Sequence, residues 1–171
     1  MTIFLVGSMG VGKSAIGKRL AKSLNIAFAD TDDLIVASQG QSINDIFLQH
    51  GELHFRALES DLLTELDYTK SQLIATGGGL PMSGTNMEFM KEKGLVVFLY
   101  DHIEAIAVRL YEGRHKRPAI NDLNIEQIKD KLKIMLDART PIYNHAHLTF
   151  SRTDNLNADV LHLSTYLKMY L

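Results

Sequence analysis

One stretch near the start limits the possible folds more than any other. Thr2-Ile3-Phe4-Leu5-Val6 is a short apolar, strand-forming run, and Gly7-Ser8-Met9-Gly10-Val11-Gly12-Lys13-Ser14 follows without a break. Ala15 to Leu24 then places Ile16, Leu20 and Leu24 on one helical face. Strand, G-x-x-x-x-G-K-S, helix is the context in which this pattern is a phosphate-binding loop and not merely a glycine-rich turn. The glycines let backbone N–H groups close around an anion with no Cβ in the way. The helix start adds unpaired N–H groups and the positive end of its dipole. Lys13 can reach β- and γ-phosphates, and the Ser14 hydroxyl can ligate Mg²⁺.

The rest of the chain supplies a parallel α/β framework for that loop. Ile26–Ala29, Gln72–Ala75, Leu95–Tyr100 and His147–Phe150 read as further strands. Leu95–Tyr100 is continuous and apolar, as in a strand buried on both faces. Between the strands lie helical patterns at 34–38, from the Ser42 cap to a break at Gly51-Glu52, and at 54–68, 85–93, 103–110, 125–143 and 155–171. Gly94 reads as a stop for the 85–93 helix, and Pro141 interrupts the 125–143 helix near its end. Strands alternating with helices imply a parallel sheet covered on both faces, with ligands outside the C-terminal strand ends. The phosphate loop, Asp30 to Asp33 and Gly77 to Gly79 each follow a strand and should converge there. With 171 residues and no linker, repeat or low-complexity segment, one domain spanning 1–171 is expected.

Composition narrows the chemistry. There are no cysteines, which removes disulfides, zinc–thiolate sites and thiol catalysis together and suits a cytoplasmic enzyme. A net charge of −2 provides no general attraction to nucleic acid or to a membrane surface. The apolar N-terminal residues feed the loop and have no basic segment before them, so no signal peptide is expected. The seven histidines are scattered without metal-ligand spacing.

Four groups of residues remain as candidates, each with two readings. Asp30 and Asp32, on extended chain, could face one side and serve Mg²⁺ or an acceptor hydroxyl, while Asp32 or Asp33 caps the next helix. Arg56 and Arg139 could bind a carboxylate in bidentate fashion, or could be helix-surface ion pairs, Arg56 with Glu52 or Glu59. Gly77-Gly78-Gly79 marks either close approach of a ligand to the backbone or a flexible turn. Arg114-His115-Lys116-Arg117-Pro118 lies in the longest irregular stretch and reads as an active-site lid or a solvated basic loop.

Taken together, the sequence resembles the shikimate kinase family over essentially the whole chain from Thr2 to about Phe150. The motifs that carry the resemblance run in family order: the phosphate loop, Phe28-Ala29-Asp30-Thr31-Asp32, Gly51-Glu52-Leu53-His54-Phe55-Arg56 with Glu59, Thr76-Gly77-Gly78-Gly79, Arg117-Pro118, and Arg139-Thr140-Pro141-Ile142-Tyr143. The lid reads Arg-Pro-Ala-Ile where the family more often has Arg-Pro-Leu-Leu, and beyond Phe150, where the resemblance implies adenine contacts near Arg152 to Asn155, the pattern is loose.

The resemblance implies a P-loop nucleoside-monophosphate-kinase-like fold: three α/β/α layers, a five-stranded parallel sheet, a mobile lid at about 111–122 and an acceptor-binding helical region at about 32–60. It implies transfer of the γ-phosphoryl of ATP to the 3-hydroxyl of shikimate, with one Mg²⁺ bound with ATP. Gly10, Val11, Gly12, Lys13, Ser14 and Ala15 would hold ATP, with Arg109 against adenine and Arg117 reaching across the phosphates. Asp32, Arg56, Gly77, Gly78, Gly79 and Arg139 would hold shikimate, and Ser14 and Asp30 would serve the metal. Lys13, Asp32 and Arg117 would carry the catalysis. A cytoplasmic monomer that binds ATP and shikimate, and neither nucleic acid nor membrane, is the resulting expectation.

Overall fold

The computed structural model describes residues 1–116 and 118–170, with the side chains of Lys116 and Pro118 left aside. Five parallel strands form one sheet in the order β2-β3-β1-β4-β5. They are β1 (Thr2–Val6), β2 (Ala27–Asp30), β3 (Gln72–Ala75), β4 (Gly94–Tyr100) and β5 (Leu148–Ser151). Strand β1 is central, paired in parallel with β3 on one side and β4 on the other. All of its residues are buried, which explains an apolar run that does not alternate with polar residues.

Successive side chains of the strands enter different cores, as the period of two requires. Ile3, Leu5, Leu73, Val97 and Leu99 face one cluster with α1 (Lys13–Leu24), α5 (Ile103–Glu112), α6 (Ile125–Tyr143) and α7 (Leu156–Leu167). Phe4, Val6, Ile74, Val96 and Phe98 face the other, with Leu63 of α3 (Ile43–Glu65), Met87 and Met90 of α4 (Asn86–Lys93), and Tyr143. Each such side chain contributes about 1.5–3 kcal/mol on burial. The strand ends that carry the functional loops therefore project from the most tightly held part of the molecule. Among the described residues no helix is long and apolar enough to cross a membrane.

Local differences from the sequence expectation have physical causes. Helix α2 (Thr31–Gln39) begins earlier than its apolar pattern, because Asp30 is its N-cap: Asp30 is extended at φ −122° and its carboxylate accepts from the Asp32 N–H. Asp32 thus lies in the first helical turn and not on extended chain, and the cap is neither Asp32 nor Asp33. Ser42 does cap α3, accepting from the Asp45 N–H. The expected break at Gly51 is a bend at φ 82°, ψ 172° within α3, which ends at Glu65 and not at Tyr68. Gly94 is the first residue of β4, pairing with Thr2, as well as the cap of α4. Helix α6 continues through Pro141 to Tyr143: the missing N–H falls in the last turn, where its loss is tolerated. The 111–122 stretch is less irregular than expected. Tyr111 and Glu112 finish α5, short 3₁₀ turns occupy Arg114–Lys116 and Pro118–Ile120, and Ile120 is buried in the core.

Candidate active site

The phosphate loop joins β1 to α1. Gly12 is the N-cap of α1 in left-handed conformation, at φ 101°. Lys13 is buried, and its ammonium donates to the Gly7 and Ser8 carbonyls at 2.7 and 2.8 Å. Its charge is thereby held over the loop that would receive the phosphates. Gly10, Gly12, Lys13, Ser14 and Ala15 line a cleft of about 1160 Å³. Val11 is part of the loop, but its side chain is in the core, leaving only its main chain for a ligand.

Asp30 divides its two oxygens. Oδ1 accepts from the Asp32 N–H at 3.1 Å, and Oδ2 accepts from the Ser14 hydroxyl at 2.6 Å. Cap and site roles are thus combined in one residue. A hydroxyl beside a carboxylate is a hard-oxygen pair suited to Mg²⁺, which typically takes one or two protein oxygens and completes its shell with phosphate and water. No cluster of three or more His, Asp or Glu side chains suited to a metal occurs among the described residues.

A second, smaller pocket of about 210 Å³ opens beside the cleft, lined by Asp32, Arg56, Glu59, Arg139 and Gly77 to Gly79. The walls come from three helices far apart in sequence: Asp32 from α2, Arg56 and Glu59 from α3 beyond the bend, Arg139 from α6. Arg56 donates to Glu59 at 2.6 Å and to Glu52 at 2.8 Å. Both sequence readings of Arg56 therefore hold at once, since the ion pairs aim the guanidinium across the pocket. Burial works against the Arg56 charge, but hydrogen bonding to Glu59 and Glu52 outweighs it and raises the guanidinium pKa. Glu59 is fully buried; burial raises its pKa, and Arg56 opposes the shift without cancelling it. Burial likewise raises the Asp32 carboxyl, helped by nearby Asp30 and opposed by Lys13.

The glycine triplet is a close-approach device. A Cβ on Gly77 would stand 2.6 Å from Glu59 Oε1 and 2.8 Å from Asp32 Oδ1, and one on Gly79 would collide with the Arg56 guanidinium. Those same two carboxylate oxygens are buried without a hydrogen-bond partner, so donors brought by a bound molecule would satisfy them. The triplet is also tied down from both sides. The Gly77 N–H donates to Thr31 Oγ1 at 2.8 Å, and the buried Tyr143 hydroxyl donates to the Gly78 carbonyl at 2.6 Å. The flexible-turn reading therefore fails.

Arg109 lies in the wall of the larger cleft, paired with Asp101 and donating to the Gly10 and Val11 carbonyls at 3.0 and 3.2 Å. Arg117 lies outside the described residues. Sequence reasoning gives Asp101 and Asp159 no role, has Thr31 only as pointing away from the side shared by Asp30 and Asp32, and connects Arg152 only with adenine contacts near residues 152–155. An aspartate amid the apolar residues of α7 was the available sign for Asp159, and nothing local marks the contacts of the other three.

An anion cradle and, next to it, a pocket whose guanidinium groups could take a second anion and whose carboxylates could take hydroxyls would suit a phosphoryl transfer onto a small acidic alcohol. On a sheet of this order, that defines a P-loop small-molecule kinase of nucleoside-monophosphate-kinase-like topology. The shikimate kinase family model matches residues 9–168, and the chain belongs to that family. The shikimate kinase of Parabacteroides distasonis is 36% identical over 160 residues, covering 94% of this chain and 92% of that one. The crystal structure of shikimate kinase from Bacteroides thetaiotaomicron superposes with a TM-score of 0.93 at 32% identity, covering 98% of each chain. The Acinetobacter baumannii enzyme in complex with shikimate superposes with a TM-score of 0.86 at 36% identity, covering 99% of this chain and 94% of that one.

Proposed function

We infer that this chain phosphorylates shikimate at its 3-hydroxyl with ATP, giving shikimate 3-phosphate and ADP for aromatic amino-acid biosynthesis. The observation that carries this reading is the pocket shared by Asp32, Arg56 and Arg139 at the edge of the phosphate cleft. Arg56 and Arg139 clamp the shikimate carboxylate, and the Gly77 to Gly79 backbone lines the ring. Asp32 accepts a ring hydroxyl and takes up its proton as the phosphoryl group arrives. Its raised pKa makes it a better proton acceptor than an exposed aspartate would be.

Lys13 leaves the Gly7 and Ser8 carbonyls for the β- and γ-phosphates, and the main-chain N–H groups of Gly10 to Ala15 surround them. Arg109 lies against the adenine. Ser14 and Asp30 would hold one Mg²⁺ with the nucleotide, where the ion would offset phosphate charge. The segment 111–122 acts as the lid and carries Arg117 to the phosphates, which excludes water from the transfer. The helical region 32–60 forms the acceptor site. The chain works as a cytoplasmic monomer, which gel filtration and cell fractionation check.

A coupled ADP-release assay with shikimate, with gluconate and with no acceptor tests the assignment. ADP release is expected with shikimate only. Equal release with gluconate would point to a related sugar-acid kinase, and no release with any acceptor would point to a nucleotide-binding module.

A further inference from the structure

Against the phosphate loop lies a buried charge network. Arg152 follows β5, with a side chain that is 8% exposed and an Nε that donates to Asp159 Oδ2 at 3.2 Å. Asp159 is fully buried in the first turn of α7, and its other oxygen accepts from the Thr153 N–H and hydroxyl at 2.9 and 2.8 Å. Both carboxylate oxygens are thus engaged, and Asp159 fixes the Arg152 guanidinium. Arg152 Nη1 donates to the Val11 carbonyl at 2.8 Å. It also lies 2.8 Å from where a Cβ on Gly12 would stand.

This contact falls on the peptide that most needs it. The structure contains no cis peptide bond among the described residues, so the Val11 carbonyl and the Gly12 N–H point in opposite directions. The Val11 carbonyl accepts from Arg152 at 2.8 Å and more weakly from Arg109 at 3.2 Å; held by these guanidinium groups, it leaves the Gly12 N–H turned the opposite way, toward an anion at the start of α1. Rotation of that peptide would aim a carbonyl oxygen at the phosphates instead. Because one neighbour is a glycine, sterics alone do not prevent the rotation.

We propose that Arg152, held by Asp159, is a positioning residue for nucleotide binding: it locks the Val11–Gly12 peptide with its N–H facing the phosphate. It acts through the loop: Gly10, Gly12 and Arg109 line the cleft, and Arg152 meets that wall at the Val11 carbonyl. The proposal rests on the phosphate loop binding ATP but not on the identity of the acceptor.

The test is calorimetric titration of Mg·ADP, without any acceptor, into Arg152→Met, Arg152→Lys and Asp159→Asn. Arg152→Met should weaken ADP binding by about tenfold, the worth of one charge-assisted hydrogen bond. Asp159→Asn, whose side chain lies outside the cleft, should weaken it several-fold in the same direction. Arg152→Lys should recover part of the loss, since one ammonium cannot serve both Asp159 and Val11. Shikimate affinity and kcat at saturating ATP should stay within about threefold of wild type. The Gly12 amide resonance of the ligand-free protein should move in the Met and Asn variants. Unchanged ADP affinity in folded Arg152→Met or Arg152→Lys would overturn the proposal. So would a loss confined to Arg152 variants with Asp159→Asn normal, since that would mean direct contact with the nucleotide. Failure to turn over shikimate in the wild type would refute the acceptor assignment and leave these titrations readable.

Discussion

The two halves of the site are built differently. The phosphate half uses consecutive residues, Gly7 to Ala15, and works largely through main-chain groups between one strand and one helix. The acceptor half uses side chains from α2, α3 and α6, and its walls hold buried charge: Glu59 fully so, with Asp32 and Arg56 partly so. The first needs only local geometry to be correct. The second needs three helices docked on the sheet before any of its charges has a partner. Substitutions in the first should therefore abolish turnover outright, whereas those in the second should separate acceptor binding from nucleotide binding.

Lys13→Ala offers the largest effect. With its point charge gone from the phosphates, kcat should fall by roughly 10³-fold or more, with melting temperature and shikimate affinity near wild type. Near-normal turnover in a coupled assay would undo the phosphate half of the comparison. Arg117→Ala should follow, reducing kcat by about 10³-fold while barely changing ATP affinity measured without shikimate. Hydrogen exchange across 111–122 should show added protection only with ADP and shikimate together, and equal protection with and without ligands would mean that the segment is no lid.

Asp32→Asn keeps the shape and removes the proton acceptor. A fall in kcat of about 10²-fold is expected, with shikimate still bound, and an unchanged kcat would reduce Asp32 to a passive contact. Arg139→Ala should weaken shikimate binding by about 2 kcal/mol, the low end for losing one partner of a desolvated pair. ATP affinity should not move. If calorimetry found both ligands weakened equally, the two halves would not be separable in the way their construction suggests.

Glu59→Gln is the mildest and sharpens the comparison through pH. The Glu59 carboxyl is raised from its ordinary value of 4.5 by burial. The folded protein then holds a proton that the unfolded chain has released over the window just above that value. Its stabilising contribution is complete below the unfolded pKa and is lost as pH rises through the folded one. Asp32, raised from 3.8, acts in the same direction. Glu59→Gln should therefore flatten the decline in stability as pH rises above about 4.5, and the KM for shikimate should rise several-fold because Arg56 loses its aim. A denaturation series across pH that left the slope unchanged would show that Glu59 is not held as described.

The same contrast governs what could be read from sequence. The phosphate loop was legible because its meaning lies in adjacent residues and their flanking strand and helix. The parallel sheet was legible because β4 is apolar throughout and the helices alternate with strands. Gly77 to Gly79 announced a close approach, but not what approaches: Glu59, Asp32 and Arg56 come from two other segments. Arg56 looked like a surface ion pair because i,i+3 and i,i+4 carboxylates flank it, and only the docked structure shows those partners turning it inward. The cap of α2 was placed at Asp32 or Asp33, two or three residues past Asp30, because a cap is decided by backbone angles, which composition does not reveal. Tyr143 appeared within a motif, but its hydrogen bond runs from the end of α6 to Gly78 in the loop after β3, a relation that no local pattern encodes.

The bend in α3 has a use beyond this reaction. Gly51 adopts a conformation open almost only to glycine, and nothing lies within 4 Å of the Cβ it lacks. Replacing it would therefore meet torsional resistance and no crowding, with the burden falling on the angle between the two arms. The Ile43–His50 arm carries Phe47 on the cleft wall, while the Glu52–Glu65 arm carries Arg56 and Glu59. Redesign at this joint could re-aim one wall of the acceptor site with the anion clamp left in place. It offers protein engineers a route to bulkier acceptors that starts from a single residue outside both the reaction and the core.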